Sequence, residues 1–172
     1  AIACHFANIG CEVLLLDMVP RELTEKEKAT GLTRESKNVR NRIVNDAFAF
    51  ALKSKPAQAY NAESAKRVTL GNFDDDMSKI KDVDWVIEVV IERLDIKQQV
   101  FEKVEKYIKP GTLVTSNTSG IPIHLLEEGR SETFKKNFAG THFFNPPRYM
   151  RLLEIIPTPG TSQETVDFLM HY

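Results

Sequence analysis

AIACHFANIGCEVLLLD, residues 1–17, decides the fold. Ala1–Gly10 carries apolar residues with neither an N-cap nor an initiator Met before them, and it stops at a glycine, as helices often do. It reads as a helix already under way. Cys11–Asp17 is a continuous apolar run closed by an acidic residue, the pattern of a buried strand. Helix, glycine, apolar strand and terminal Asp17 make the second half of a βαβ unit. Such a unit expects its first strand and a glycine-rich turn ahead of Ala1, with the pyrophosphate of a dinucleotide at the helix N-terminus. Asp17 would then accept hydrogen bonds from the adenosine ribose hydroxyls.

Downstream, residues 21–67 are polar and helical in tendency, broken at Gly31. Asn41–Lys55 is the clearest helix, with Ile43, Val44, Ala47, Phe48, Ala51 and Leu52 on one face, and Pro56 ends it. Its Lys and Arg residues are better read as a solvated face than as a phosphate site. RVTLGNF predicts a short strand and DDDMSKIKD a helical turn, with Asp74, Asp75 and Asp76 placed at a helix N-terminus by the macrodipole. Asp84–Glu92, DWVIEVVIE, predicts a second continuous apolar strand, with Glu88 inside it and Glu92 at its exit. A helix from Asp95 to Lys109 follows. Lys97 lies in its first turn, where a cation opposes the dipole and hints at an anionic neighbour. TLVTSNTSG, residues 112–120, gives a third strand that ends in Asn117, Thr118 and Ser119. This alternation predicts an α/β fold with a mostly parallel, doubly wound sheet and flanking helices. Ligands bind outside the carboxyl ends of such strands. Asp17, Glu92, Ser119 and His142 all fall near strand exits.

GTHFFNPPRYMRLLEIIP, residues 140–157, carries the chemistry. NFAGTHFF reads as a buried strand, Pro146 and Pro147 force a turn, and LLEIIP reads as a second strand, antiparallel if paired. Glu154 sits between Leu153 and Ile155, where a carboxylate is costly unless paired. His142 is its nearest candidate partner, and a His held by a buried carboxylate is built as a general base. The competing reading makes His142 a satisfied core residue and Glu154 a side chain reaching solvent at an edge.

The 172 residues, 42% hydrophobic and 27% charged, suffice for one globular domain spanning the chain. A net charge of -1 argues against a nucleic-acid binder, and no apolar run is long enough to span a bilayer. Cys4 and Cys11 make no disulfide or metal pattern and fit a reducing, cytoplasmic compartment. No targeting peptide is visible. SQETVDFLMHY at the other end reads as an amphipathic helix cut before its cap, so the chain is expected to be a fragment at both ends.

DWVIEVVIERLDIK, TSNTSG and GTHFFNPPRYMRLLEIIP, in that order, resemble the NAD-binding domain of the L-3-hydroxyacyl-CoA dehydrogenases of fatty-acid β-oxidation. The likeness covers essentially the whole chain and is nearest the large bacterial forms related to enoyl-CoA hydratase fusions. The resemblance implies a Rossmann-like fold, NAD as cofactor and an acyl-CoA substrate. It implies His142 as catalytic base and Glu154 as its orienting partner. Ser119 and Asn145 would contact the substrate's 3-oxygen and border the nicotinamide. Asp17 would hold the adenosine ribose, its charge repelling a 2′-phosphate and so favouring NAD over NADP. Val89, Glu92, Lys97 and Asn117 complete the cofactor side. A glycine-rich loop before Ala1 and a helical C-terminal domain, with its acyl-CoA contacts and homodimer interface, lie outside the chain, so the fragment alone is expected to be inactive. A fused or associated hydratase module is a further implied partner. The alternatives are a related β-hydroxyacid dehydrogenase acting on another substrate, and a non-catalytic Rossmann-like binding domain.

Overall fold

The computed structural model describes residues 1–172. The backbone divides into two units: residues 1–77 with 145–150, and residues 78–144 with 151–172.

In the first unit, α1 (Ile2–Asn8) leads into β1 (Val13–Asp17), with Gly10 at φ +101° making the turn that an L side chain would resist. Four helices follow: α2 (Glu25–Ala29), α3 (Lys37–Arg40), α4 (Arg42–Lys53) and α5 (Ala62–Lys66). β2 (Val68–Asn72) pairs with β1 in parallel, from Val13 opposite Val68 to Asp17 opposite Asn72. Asn72 is buried, and its side chain explains the acidic run. Its Oδ1 accepts from the Asp74 and Asp75 amides at 3.0 and 2.9 Å, and its Nδ2 donates to Asn41 Oδ1 at 2.7 Å and Asp75 Oδ2 at 2.8 Å. Arg40 grips Asp75 with two bonds of 2.6 and 2.7 Å. The macrodipole expectation is therefore corrected: a side-chain turn organises Asp74 and Asp75, and the 3-10 helix begins only at Met77. Beyond the double proline the chain turns, the Tyr149 and Met150 amides both donating to Pro146 O at 2.9 and 3.0 Å. Arg148 anchors this segment by donating to Ala57 O and Ala59 O at 2.9 and 2.8 Å, its guanidinium 4.6 Å from the centre of the Tyr60 ring.

The second unit contains β3 (Trp85–Glu88), α6 (Leu94–Glu105), β4 (Leu113–Ser116), α7 (Ile123–Leu126), α8 (Glu132–Lys136), β5 (Phe138–Phe143), β6 (Leu153–Pro157) and α9 (Gln163–His171). Its sheet runs β3-β4-β5-β6, the first three strands parallel and β6 antiparallel to β5. Side chains alternate across such a sheet. Leu113, Ala139 and Leu169 form a core with Trp85 and Ile155 on the side of α9. On the other side Phe138 meets Phe101 of α6 at 5.2 Å and stacks on Phe134 of α8 at 5.4 Å. The register puts Glu88, Ser116, Gly140, His142 and Glu154 on this second face.

Two expectations change here. β3 ends at Glu88 rather than running to Glu92, because its partner β4 ends at Ser116. The Asn117 amide donates to Glu88 O at 2.9 Å as the last rung. Glu154 is not buried, for β6 is an edge strand and the carboxylate reaches solvent with half its side-chain surface exposed. No helix is long and apolar enough to cross a membrane.

Candidate active site

His142 and Glu154 face each other as a register pair of the β5–β6 hairpin. His142 Nδ1 lies 2.6 Å from Glu154 Oε2. A carboxylate only accepts, so the proton on that line belongs to Nδ1, and Nε2 carries the lone pair. Nε2 has no protein partner. The ring is 26% exposed and rests 5.0 Å from the Phe144 ring, so it is sheltered yet reachable.

Alongside runs the loop that leaves β4. Asn117 is tied to β5 itself, its Oδ1 accepting from the Phe143 amide at 2.9 Å, one residue from His142. Thr118, Ser119 and Gly120 are held from the other side by a single oxygen. Glu92 Oε1 accepts from the Thr118 hydroxyl, from the Ser119 amide at 3.1 Å and from the Gly120 amide at 2.9 Å. Ser119 is exposed and its Oγ is engaged by no protein group. Burial works against the charge of Glu92, but the Thr118 hydroxyl, the Gly120 amide and the Lys97 ammonium outweigh it and hold the carboxyl at about 2.

Beneath the loop lies a buried ion cluster. Lys97 and Glu88 each have 1% of their side-chain surface exposed. Lys97 Nζ donates to Glu88 Oε1 at 2.8 Å and to Val90 O at 3.2 Å, and it lies 3.2 Å from Glu92 Oε2. Glu88 also accepts from Ser116 Oγ and from the Val90 amide, each at 2.5 Å. Three donors thus meet three acceptor groups. The resemblance gave Lys97 a cofactor contact; in the fold its side chain is enclosed, with its ammonium held by Glu88, the Val90 carbonyl and Glu92.

Gly140 completes this face. A Cβ there would come within 2.6 Å of Ile123 Cδ1, so the glycine lets α7 press on the sheet just beyond the 117–120 loop. Val89 stands 56% exposed directly after β3, an apolar side chain presented to solvent. In the first unit Asp17 ends β1. Its Oδ1 accepts from the Met18 amide at 2.7 Å, leaving Oδ2 without a protein donor. Asn145, also in that unit, is exposed just before the double proline. Sequence reasoning left Glu88, Thr118 and Gly140 out of the site. The signal for Glu88 was present, an acid inside an apolar strand with a lysine nine residues on, in the first turn of the next helix.

The family model described as "3-hydroxyacyl-CoA dehydrogenase, NAD binding domain" matches residues 1–172. A probable 3-hydroxyacyl-CoA dehydrogenase of Bacillus subtilis is 49% identical over 98% of this chain, which covers 21% of that protein. One of Deinococcus radiodurans is 46% identical over 96% of the chain and 44% of its own length. The chain therefore spans less than half of either relative. The crystal structure of 3-hydroxybutyryl-CoA dehydrogenase from Escherichia coli superposes with a TM-score of 0.68 at 26% identity, over 99% of this chain and 32% of that one.

Proposed function

The chain belongs to the family of 3-hydroxyacyl-CoA dehydrogenase NAD-binding domains, with their Rossmann-like fold, and on that premise we propose that the complete protein oxidises an L-3-hydroxyacyl-CoA to the 3-oxoacyl-CoA with NAD. The observation that carries the reading is the 2.6 Å contact between His142 Nδ1 and Glu154, which leaves Nε2 as a base on a half-sheltered ring.

The residues present fit the cofactor. An acceptor-only carboxylate with an oxygen to spare, Asp17 at the exit of β1, suits a ribose diol and disfavours a 2′-phosphate. Exposed Val89 offers an apolar surface at the exit of β3. Glu92, Asn117 and Ser119 line the nicotinamide side in this reading. NAD, when bound, supplies the hydride acceptor. His142 takes the hydroxyl proton at Nε2 and becomes imidazolium. Glu154 stabilises that cation across the Nδ1 bond without taking the proton itself. Ser119 Oγ holds the substrate's 3-oxygen, so that its carbon presents hydrogen to the cofactor rather than to water.

The test follows NADH absorbance with acetoacetyl-CoA in the complete protein at neutral pH. His142→Ala should lower kcat/KM by about 10²–10⁴-fold, the usual contribution of a positioned base, with the melting temperature little changed. A wild-type rate in that variant would remove the base assignment. A folded wild type that binds NAD but turns over no hydroxyacyl-CoA would make this a binding domain or a dehydrogenase for another hydroxyacid.

A further inference from the structure

The buried ions of the second unit do more than fill space. Building on the dehydrogenase reading, we propose that Glu88 and Lys97 are positioning residues for Ser119: they fix the Glu92 carboxylate, which fixes the Thr118–Gly120 loop at the wall of the site.

The path is continuous. Ser116 Oγ and the Val90 amide orient Glu88; Glu88 aims the Lys97 ammonium; Lys97 holds Glu92 Oε2. With one oxygen fixed, the other is set to receive the Thr118 hydroxyl and two successive backbone amides, at Ser119 and Gly120. That segment belongs to no helix or strand, so its amides have no ladder to satisfy them. At its other end Asn117 is tied to the Phe143 amide beside His142. The loop is thus held on both sides while Ser119 Oγ stays uncommitted, as a hydroxyl meant for substrate should be.

A purely stabilising role explains this less well. A buried ion pair contributes little to stability compared with apolar side chains of equal volume, so the fold alone gives weak reason for an enclosed Lys and Glu. Glu92 is the informative member. It is 41% exposed, yet it is drawn back onto the loop by one ammonium and three donors. Its depressed pKa keeps it an acceptor throughout the neutral range.

The experiment uses the complete protein and pairs two readouts. Lys97→Met should speed hydrogen exchange at the Ser119 and Gly120 amides by about tenfold or more, and lower kcat by about tenfold. In a Ser119→Ala background the same change should lower kcat less than about twofold, because the residue it positions is gone. Glu88→Gln, which keeps shape and volume, should act in the same direction and is read in the same way if Lys97→Met does not fold. Unchanged exchange at the two amides, or an equal fold-loss of kcat in both backgrounds, would overturn the proposal and leave the cluster a support of the fold. If the wild type turns over no hydroxyacyl-CoA, the dehydrogenase reading fails while the exchange measurement still decides the clamp.

Discussion

Glu88 and Glu154 lie on the same face of the β3–β6 sheet, each against a nitrogen, and they differ mainly in water. Glu88 is enclosed with Lys97, and every donor and acceptor there is matched within the protein. Glu154 stands on an edge strand, half exposed, bonded to a ring whose second nitrogen is unclaimed. The Lys97 ammonium is enclosed by the Glu88 and Glu92 carboxylates and the Val90 carbonyl, with 1% of its side-chain surface exposed. The His142 ring keeps 26% of its side-chain surface open and its Nε2 unclaimed. In the proposed reading, the same pairing serves as a scaffold in one place and as proton-transfer machinery in the other.

The comparison breaks most visibly if the buried side is opened. Lys97→Met should cost about 3–5 kcal/mol of stability, since it strands two carboxylates in a site made for three charges. Urea unfolding followed by circular dichroism would measure it. A loss below about 1 kcal/mol would show that water already reaches the cluster. At the exposed side the effect should move from stability to rate. Glu154→Gln keeps the shape and still offers an oxygen to Nδ1–H, but removes the charge that steadies an imidazolium. It should lower kcat by about 10²-fold with a melting temperature within a few degrees of wild type. Equal rates would mean that His142 works without its partner. A collapse of stability would mean that Glu154 is structural despite its exposure.

How legible this was depended on periodicity. β1, β2, β4, β5 and β6 announce themselves as short apolar or β-branched runs, and the hairpin across Pro146-Pro147 follows from two prolines between two strands. The His142–Glu154 pairing was readable as the nearest partnership if those two strands lie side by side, and the register sets the two residues opposite each other. The end of β3 was not legible. DWVIEVVIE stays apolar past the point where β4 turns away at Asn117, and a strand ends where its partner ends, which is tertiary information. The exposure of Glu154 was hidden for the same reason, as an edge position belongs to the sheet order and not to the local sequence. Lys97 looked like a small dipole penalty. Its partner Glu88 comes into range only when the strand exit and the next helix fold against each other.

The finest separation between the two sides is a titration. Glu92 links the closed cluster to the open loop, and its folded pKa of about 2 lies below the ordinary carboxyl value of 4.5. A depressed carboxyl contributes stability that is fully present above its unfolded value and lost as pH falls through the folded one. The clamp on residues 118–120 should therefore survive at pH 4 and loosen only as pH approaches 2. Thr118→Val removes the hydroxyl donor while leaving both backbone amides and Lys97 in place, so it should raise this pKa part of the way toward 4.5 without abolishing the depression. NMR titration of the Glu92 carboxyl carbon reads the shift directly. A midpoint unmoved by the substitution would assign the depression to Lys97 and the amides alone, and the loop would then be held by charge rather than by the threonine hydroxyl.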